Sequence, residues 1–435
     1  MTSIVRHATV LMLGLTPALQ AQPGSGIAQR IAQVTNAEVR MTYATRSSVC
    51  GDGGDAVSVG DRFTTSSSME SYGRWSNIQC VRGPARVRLA VRDHEIVDLR
   101  TSIGGSWSAT TEHVVDLGRV PASEAASYFV SLTKTLGSSR RMNPLLAAAV
   151  ADSADVSPEM LRIAQTTSLP RETRRRAVHW AGALGDASMV APLVAMARAA
   201  EEARSNPDDV GPGDSMEGAA VSALAMIPDD AGVPALTELA RTGTLTVRKS
   251  AVFWLGQGES RTGRQLVRTI AADDAEPETL RGAAIFALGQ SNETSRADDA
   301  FLRDLFGRLT SERLKDRLLM SVSQHDSPDA AHWLLAQARD ERQPMEVRRK
   351  AVFWAGQGHA TVADITALYA ATTESRLREH VIFVLSQRDE EAATASLISI
   401  ARTDADREMR RKALFWLAQK DDPRVTKLIT DLVSH

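Results

Sequence analysis

The stretch from 247 to 260 reads VRKSAVFWLGQGES, and copies of it recur through the last two-thirds of the chain. The clear copies are TRRRAVHWAGALGD from 173, LRGAAIFALGQSNE from 280, LKDRLLMSVSQHDS from 314, VRRKAVFWAGQGHA from 347, LREHVIFVLSQRDE from 377 and MRRKALFWLAQKDD from 409. A degenerate copy, GAAVSALAMIPDD, begins at 218, and RRMNPLLAAAVADS near residue 141 resembles a first one. Repetition at a fixed period predicts an array of one supersecondary unit.

The position of Trp254 serves as a reference column for aligning the copies. Its occupants are Trp180, Ala223, Trp254, Ala287, Ser321, Trp354, Val384 and Trp416. The spacing is about 30 to 34 residues, except for 43 between Trp180 and Ala223. Second amphipathic stretches such as APLVAMARAA and TASLISIAR lie between the copies, so each unit is predicted to be a pair of helices. Stacked helix pairs form an α-solenoid.

The unit resembles a short HEAT-like repeat of the kind found in bacterial proteins and bilin lyases. The shared motif is an apolar residue and Arg, then Ala and an apolar residue, then Leu-Gly, as in Val247-Arg248, Ala251-Val252 and Leu255-Gly256. The resemblance covers roughly 290 residues and implies about eight to nine helical hairpins in a mainly α fold. It also implies that the motif helix is the inner one, lining the concave side. A fold of this class hosts many functions, so the resemblance does not define the chemistry.

A helical wheel assigns a core stripe to the motif helix. At about 100° per residue, Val247, Ala251, Trp254 and Leu255 fall on one side, flanked by Val252. The recurrent Trp residues are therefore predicted to be core residues.

An aromatic row and a glutamine row lie away from this core stripe. The aromatic row occupies the position just before the reference column and consists of Phe253, Phe286, Met320, Phe353, Phe383 and Phe415. The glutamine row, three residues after the column in the same copies, consists of Gln257, Gln290, Gln324, Gln357, Gln387 and Gln419. Large apolar side chains on an exposed face indicate an interaction surface. The alternative is burial between neighbouring motif helices, and the sequence leaves both open.

A basic residue stands six positions before the reference column in seven of eight copies. The members of this basic row are Arg174, Arg248, Arg281, Lys315, Arg348, Arg378 and Arg410. Acidic residues precede several of them, which favours ion pairs between repeats over a strip that attracts an anionic partner. The long spacing after Trp180 is due to EEARSNPDDVGPGDSME, which is predicted to be a loop.

The first 120 residues have a different organisation. Residues 1–21 carry an early Arg, a short apolar run and small residues near Ala21, the pattern of a secretory signal peptide. Residues 22–120 are predicted to form a small α+β domain, with residues 121–435 as the solenoid. RVRLAVRDHEIVDLRT, from 86, alternates in period two around Asp93-His94 and predicts a hairpin. Long loops are expected between the two cysteines. Trp75 and Trp107 are expected to be core residues rather than platforms for a ligand.

The chain has two cysteines, Cys50 and Cys80. Export to the periplasm or the extracellular space would place them in an oxidising compartment, so a structural disulfide is predicted. A nucleophilic cysteine is the alternative, and it would need a neighbouring histidine base.

The remaining sequence features favour a binding protein over an enzyme. The chain has 435 residues, with 51 Lys and Arg against 53 Asp and Glu, a balance atypical of nucleic-acid binders. It has no phosphate loop, HExxH motif or nucleophile elbow, and no cofactor or metal is predicted. His325 and His332 bracket Asp326 and Asp329, a cluster more typical of a helix start.

The prediction is a non-catalytic scaffold that holds a protein or peptide in its groove, without nucleic acid or membrane insertion. An anionic envelope polymer as partner, a bilin-lyase-type enzyme or accessory subunit, and a structural spacer stay as alternatives.

Overall fold

A computed structural model of the chain describes residues 26–60, 63–65, 70–72, 80–110, 113–139, 142–199, 215–290, 296–325, 327–426 and 428. These residues form two compact units. Unit 1 contains residues up to 193 together with 226–229, and unit 2 contains 194–225 and the residues from 230 onward. The predicted signal peptide, Trp75 and most of the predicted loop before Ser215 lie outside the described residues.

Unit 1 contains a four-stranded sheet of order β7-β6-β1-β8. Its strands are β1 (Ala37–Tyr43), β6 (Ala85–Arg92), β7 (Glu95–Ile103) and β8 (Val114–Arg119). β6 pairs antiparallel with β1 and β7, whereas β8 runs parallel to β1. The predicted hairpin is confirmed: Asp93 and His94 form its turn, with φ of 50° and 66°. Val87, Leu89 and Val91 are all buried on one face, as the alternation predicted.

A second sheet of order β2-β3-β4-β5 lies largely in the segment between the cysteines, where the sequence predicted long loops but no strands. Its strands are β2 (Val49–Gly51), β3 (Val57–Val59), β4 (Phe63–Thr65) and β5 (Glu70–Tyr72). Each strand has three residues, too few for an alternating pattern to be recognised among the surrounding Gly and Ser residues.

Helices cover one face of the first sheet. Those of unit 1 are α1 (Ile27–Ala32), α2 (Ala122–Leu136), α3 (Pro144–Ala149), α4 (Ser157–Gln165) and α5 (Arg171–Leu184). The Tyr43 ring of β1 lies 6.2 Å from the ring of Phe129 in α2, and its hydroxyl donates to the Ala147 carbonyl of α3 at 2.7 Å. Trp107 is not a core residue; it is half-buried beside two arginines on the opposite, polar face of the sheet.

The rest of the described chain is helical. The helices are α6 (Val190–Arg198), α7 (Met216–Met226), α8 (Val233–Thr242), α9 (Leu245–Gln257), α10 (Arg261–Ala272), α11 (Glu278–Gly289), α12 (Arg296–Arg308), α13 (Glu312–Ser323), α14 (Pro328–Arg339), α15 (Met345–Gln357), α16 (Val362–Ala371), α17 (Ser375–Ser386), α18 (Glu391–Thr403) and α19 (Arg407–Leu417). The eight aligned copies of the motif all lie on helices, namely α5, α7, α9, α11, α13, α15, α17 and α19. The protein is thus mainly helical, with a small N-terminal sheet domain.

Side-chain caps explain where several helices begin. Thr244, Ser260, Ser311 and Ser327 each accept a hydrogen bond from a first-turn N–H of the following helix. Thr361 and Asp364 form a reciprocal capping box at the start of α16. None of the described helices combines the length and apolar character needed to cross a membrane.

Candidate binding surfaces

The motif helices of unit 2 pack side by side in one row. α9 packs against α11, and the packing continues through α13, α15 and α17 to α19. Gly256, two residues after the reference column, explains how closely two of these helices approach. A Cβ at Gly256 would lie 2.7 Å from the Cβ of Ala287 on α11. Glycine and a small facing residue therefore allow helix contact that larger side chains would prevent.

The predicted core stripe is largely confirmed. Val247, Ala251, Val252 and Leu255 are all buried in α9. In the reference column the smaller residues are buried as well, namely Ala223, Ala287, Ser321 and Val384.

The Trp residues of the reference column depart from the prediction. Trp180 is only 2% exposed, but Trp254, Trp354 and Trp416 are half-buried. The polar edge of the indole contributes to this position, because Trp354 Nε1 donates to Asp316 Oδ1 at 2.7 Å. A fully apolar site would leave that N–H without a partner.

The aromatic row lies between the two alternatives that the sequence left open. Phe253, Phe286, Met320, Phe353 and Phe383 are half-buried, whereas Phe415 is 60% exposed. The rings also contact the next motif helix: the Phe253 and Phe286 rings stack with centroids 6.3 Å apart. The Phe383 ring lies 5.4 Å from that of Trp416. The row is therefore partly buried, in places against the neighbouring motif helix, and partly open to solvent.

The glutamine row borders the aromatic row and is more exposed. Gln257 and Gln290 are half-buried, and Gln324, Gln357, Gln387 and Gln419 are exposed. The Gln419 amide bonds locally, since its Nε2 donates to the Phe415 carbonyl at 3.3 Å, whereas Gln257 Nε2 donates to the Ala287 carbonyl of the next motif helix at 3.5 Å. An exposed amide offers both a donor and an acceptor. Together the two rows form one surface of unit 2, called here the aromatic–glutamine face.

Side chains of the basic row contact neighbouring helices and turns of the same unit. Arg248 Nε donates to the carbonyl of Ala240 in α8 at 2.8 Å, and its Nη2 lies 2.5 Å from Glu276 in the turn before α11. Lys315 makes the corresponding contact with Gln343 before α15, at 2.7 Å. These contacts agree with the predicted ties between repeats.

Three members of the basic row begin a run of three basic residues, namely Arg174–Arg176, Arg348–Lys350 and Arg410–Lys412. Several side chains of these triplets have nearby acidic partners. Arg349 pairs with Glu346 one turn away at 2.9 Å. Lys350 lies 3.3 Å from Asp316 of the preceding motif helix, and Lys412 lies 2.5 Å from Glu379 in the same relation. Positive charge on this side of the helices is thus partly neutralised by residues of the same unit.

The histidine cluster does not form a catalytic arrangement among the described residues. His325 Nδ1 lies 3.2 Å from Asp299 Oδ1, burial lowers the pKa of His325, and His332 is exposed on α14. Asp329 pairs with Arg303 at 2.6 Å, while Asp326 lies outside the described residues. No group of three or more His, Cys, Asp or Glu side chains suited to a metal ion occurs in the described part of the chain.

The cysteines form the predicted pair. Cys50 and Cys80 are joined as a disulfide, with their Cα atoms 5.3 Å apart. Next to them the Gly51 N–H donates to the Val81 carbonyl at 3.0 Å, and the Val81 N–H donates back to the Gly51 carbonyl at 2.8 Å. The disulfide and this bridge join the second sheet to the start of the segment that leads into β6.

The comparisons with known proteins give only distant similarity. The sequence matches no protein-family model and no curated protein. Among solved structures, Escherichia coli YibA aligns at 18% identity and a TM-score of 0.32 over 50% of this chain and 80% of its own. A homology model of the full-length AP-3 complex in an intermediate open conformation aligns at 13% identity and a TM-score of 0.38, over 72% of this chain and 57% of its own. Human deoxyhypusine hydroxylase in complex with glycerol aligns at 16% identity and a TM-score of 0.23, over 68% of this chain and 96% of its own. None reaches a TM-score of 0.5, so these alignments carry no inference about function.

Proposed function

We propose that the protein is an exported, non-catalytic scaffold whose array of about eight to nine HEAT-like hairpins holds a protein or peptide partner. The aromatic–glutamine face of unit 2 is the binding surface. The observation that carries the proposal is the row of five aromatic side chains and one Met, all partly or fully open to solvent, which six successive motif helices present beside a row of glutamines.

The physical argument concerns what this face offers a partner. Each motif helix already fills the core with its other side, so the rings are additional apolar surface. Rings whose position is fixed by their neighbours lose little conformational entropy on binding, which favours aromatic residues in interfaces. The adjoining amides can pair with the backbone N–H and C=O groups of an extended peptide. Protein and peptide partners fit this combination better than an anionic polymer, because contacts within the unit already engage several of the basic side chains.

Export is supported by the disulfide between Cys50 and Cys80. Stable disulfides are typical of oxidising compartments such as the periplasm and the extracellular space.

The test is a binding comparison with the full chain. Peptides are selected from a random display library on the wild-type protein, and the affinity of the best peptide is then measured for variants. Phe415→Ser combined with Gln419→Ala is expected to weaken it by at least about tenfold, corresponding to about 1.4 kcal/mol. Gln265→Ala removes an exposed glutamine of α10, in the other row of helices, and is the matched control.

Stability measurements separate binding from folding. Phe415 is 60% exposed, so Phe415→Ser is expected to change the free energy of unfolding by no more than about 0.5 kcal/mol. Phe306→Ala, at a ring only 2% exposed, should cost about 3–5 kcal/mol. If the double variant folds normally and binds the selected peptides as wild type does, the aromatic–glutamine face is not the binding surface.

A further inference from the structure

Three arginines stand side by side on the polar face of the first sheet in unit 1. Arg40 of β1 is the register partner of Arg88 in β6, and Arg88 is the register partner of Arg100 in β7. Like charges directly opposite each other destabilise a sheet. Three guanidinium groups in one row therefore need a compensating group, and the neighbouring residues provide it unequally.

Arg40 is the closely paired member of the row. Its Nε lies 2.6 Å from Glu38 Oε1, and its Nη2 donates to the Ser108 carbonyl at 2.9 Å. Among the described residues, the carboxylate contacts of Arg88 are long, 3.5 Å to Glu38 and 3.5 Å to Asp98.

Arg100 is loosely paired in the same way. Its nearest carboxylate oxygens are those of Asp98 at 3.5 Å and Asp55 at 3.8 Å. Its Nε is buried and has no hydrogen-bond partner within the described structure. Charge-assisted N–H···O bonds are normally about 2.7–2.9 Å long. Arg88 and Arg100 are thus adjacent guanidinium groups whose carboxylate partners in the described part of unit 1 all lie at 3.5 Å or more.

Arg86 and Trp107 form a fixed wall beside this pair. Arg86 is 8% exposed and donates to the carbonyls of Gly53, Gly104 and Ser106, which holds the two loops that carry them. Burial lowers the pKa of Arg86, and the positive charge of Arg40 adds to this. The guanidinium carbons of Arg40 and Arg86 each lie 5.1 Å from the centre of the Trp107 ring.

A cavity of about 310 Å³ lies against these residues. Its wall contains all four arginines but only two carboxylates, Glu38 and Asp55. Asp98 adds a third negative charge just outside the wall. Asp116, the partner of Arg40 on β8, does not line the cavity, and its Oδ1 accepts from the Gly118 N–H at 2.7 Å. The cavity therefore keeps an excess of positive charge.

We propose that this cavity binds a small oxyanion-bearing molecule, whose carboxylate, sulfate or phosphate group lies between Arg88 and Arg100. Such a group would give both guanidinium groups the short hydrogen bonds that they lack and would offset the repulsion within the row. Two neighbouring planar forks match the geometry of an oxyanion, which accepts several N–H donors at once. The Trp107 ring supplies an apolar wall for the part of the molecule that bears the charge. This site is separate from the aromatic–glutamine face and does not depend on its function.

Calorimetric titration of the full chain at constant ionic strength tests the proposal. The probes are inorganic phosphate, sulfate and benzoate, so that the result also distinguishes tetrahedral anions from a planar carboxylate. At least one probe is expected to bind with one-to-one stoichiometry and a Kd below about 1 mM. Arg88→Gln combined with Arg100→Gln should weaken that binding by at least about tenfold. Arg88→Lys keeps the charge but removes the fork, and it should produce a smaller loss.

The control removes the same charge elsewhere in unit 1. Arg82 and Arg119 are exposed arginines outside this cavity wall, so the double change Arg82→Gln and Arg119→Gln should leave the affinity unchanged. If no probe gives saturable binding, or if the control loses as much affinity as the double variant at Arg88 and Arg100, the site does not exist. If the double variant does not fold, the affinity of Arg88→Lys for the probe is compared with that of wild type. Equal affinities would then count against the site.

Discussion

At the scale of single residues, arginine in the basic row ties helices together through the carbonyls at a helix end. Arg348 is 5% exposed, and its Nε donates to the Ala338 carbonyl near the end of α14 at 2.9 Å. Arg248 and Arg281 make the same bond to Ala240 and Ala271. The last carbonyls of a helix have no partner within the helix, so a cation there satisfies an acceptor and favours the helix dipole. The side chain thus compensates for its unfavourable place near the start of its own helix.

His380 leads to a prediction about pH. Burial lowers the pKa of His380 to about 4, and the positive charges of Arg349 and Lys350 add to the shift. A hydrogen bond to the Arg349 backbone and the charge of Glu346 oppose it. The unfolded chain takes up a proton near the ordinary pKa of about 6.5, but the folded chain does not until about pH 4. The stability contribution is therefore complete above about pH 6.5 and decreases as the pH falls toward about 4.

Urea unfolding at about pH 7, 6 and 5 checks this prediction. His380→Gln should show a smaller loss of stability between the highest and the lowest of these pH values than wild type. His332→Gln removes an exposed histidine and tests whether any histidine change has that effect. Equal pH dependence in wild type and His380→Gln would contradict the argument.

At the scale of elements, glycine and the reference column together set how motif helices pack. A Cβ at Gly289 would lie 2.4 Å from Ser321 Cβ, and one at Gly356 would lie 2.3 Å from Val384 Cγ1. Where Ser323 or Ser386 stands at the glycine position, the next reference residue is instead a half-buried Trp. A glycine facing a small residue thus occurs at three of the five contacts from α9 to α19, and a serine facing a Trp occurs at the other two.

Two glycine substitutions with opposite expected signs test this packing. Gly289→Ala should destabilise the protein by about 1–3 kcal/mol, because the added methyl group overlaps Ser321 of the next helix. Gly307→Ala, at an exposed position in α12 with no atom within 4 Å, should stabilise it by about 0.5–1 kcal/mol through helix propensity alone. Thermal unfolding of both variants gives the comparison. A stabilising Gly289→Ala would mean that the helices are not held at this distance.

These elements also show which features a sequence can predict. The motif helices were predictable because the same motif recurs at a nearly constant spacing. The hairpin around Asp93 was predictable because its strands are long enough to show alternating apolar and polar residues. The glycine contacts were missed, although the sequence contains a signal for them. Where a copy of the motif has glycine two residues after its reference position, the following copy has a small residue at its own reference position, as with Gly256 and Ala287. The arginine row was not predictable, because it depends on the register between Arg40, Arg88 and Arg100 on separate strands.

At the scale of the whole molecule, the two units present different chemistry. Unit 1 offers a charged cavity on a sheet, whereas unit 2 offers an aromatic surface on a row of helices. The row of unit 2 is built from packing between neighbouring motif helices. In such arrays stability is approximately a sum of terms for each repeat and for each interface with a neighbour.

If stability depends on contacts between neighbouring helices, the position of a core substitution determines which helices lose protection from hydrogen exchange. Leu417 in α19 and Leu318 in α13 are both fully buried, so Leu417→Ala and Leu318→Ala should each remove about 2–5 kcal/mol of local stability. In native-state hydrogen exchange, Leu417→Ala is expected to reduce protection in α18 and α19 while α9 and α11 keep wild-type protection. Leu318→Ala should reduce protection on both sides of α13, from α11 to α15, because an interior helix has two neighbours. If either variant lowers protection equally in every helix of unit 2, the unit unfolds as one cooperative body and the nearest-neighbour description is wrong.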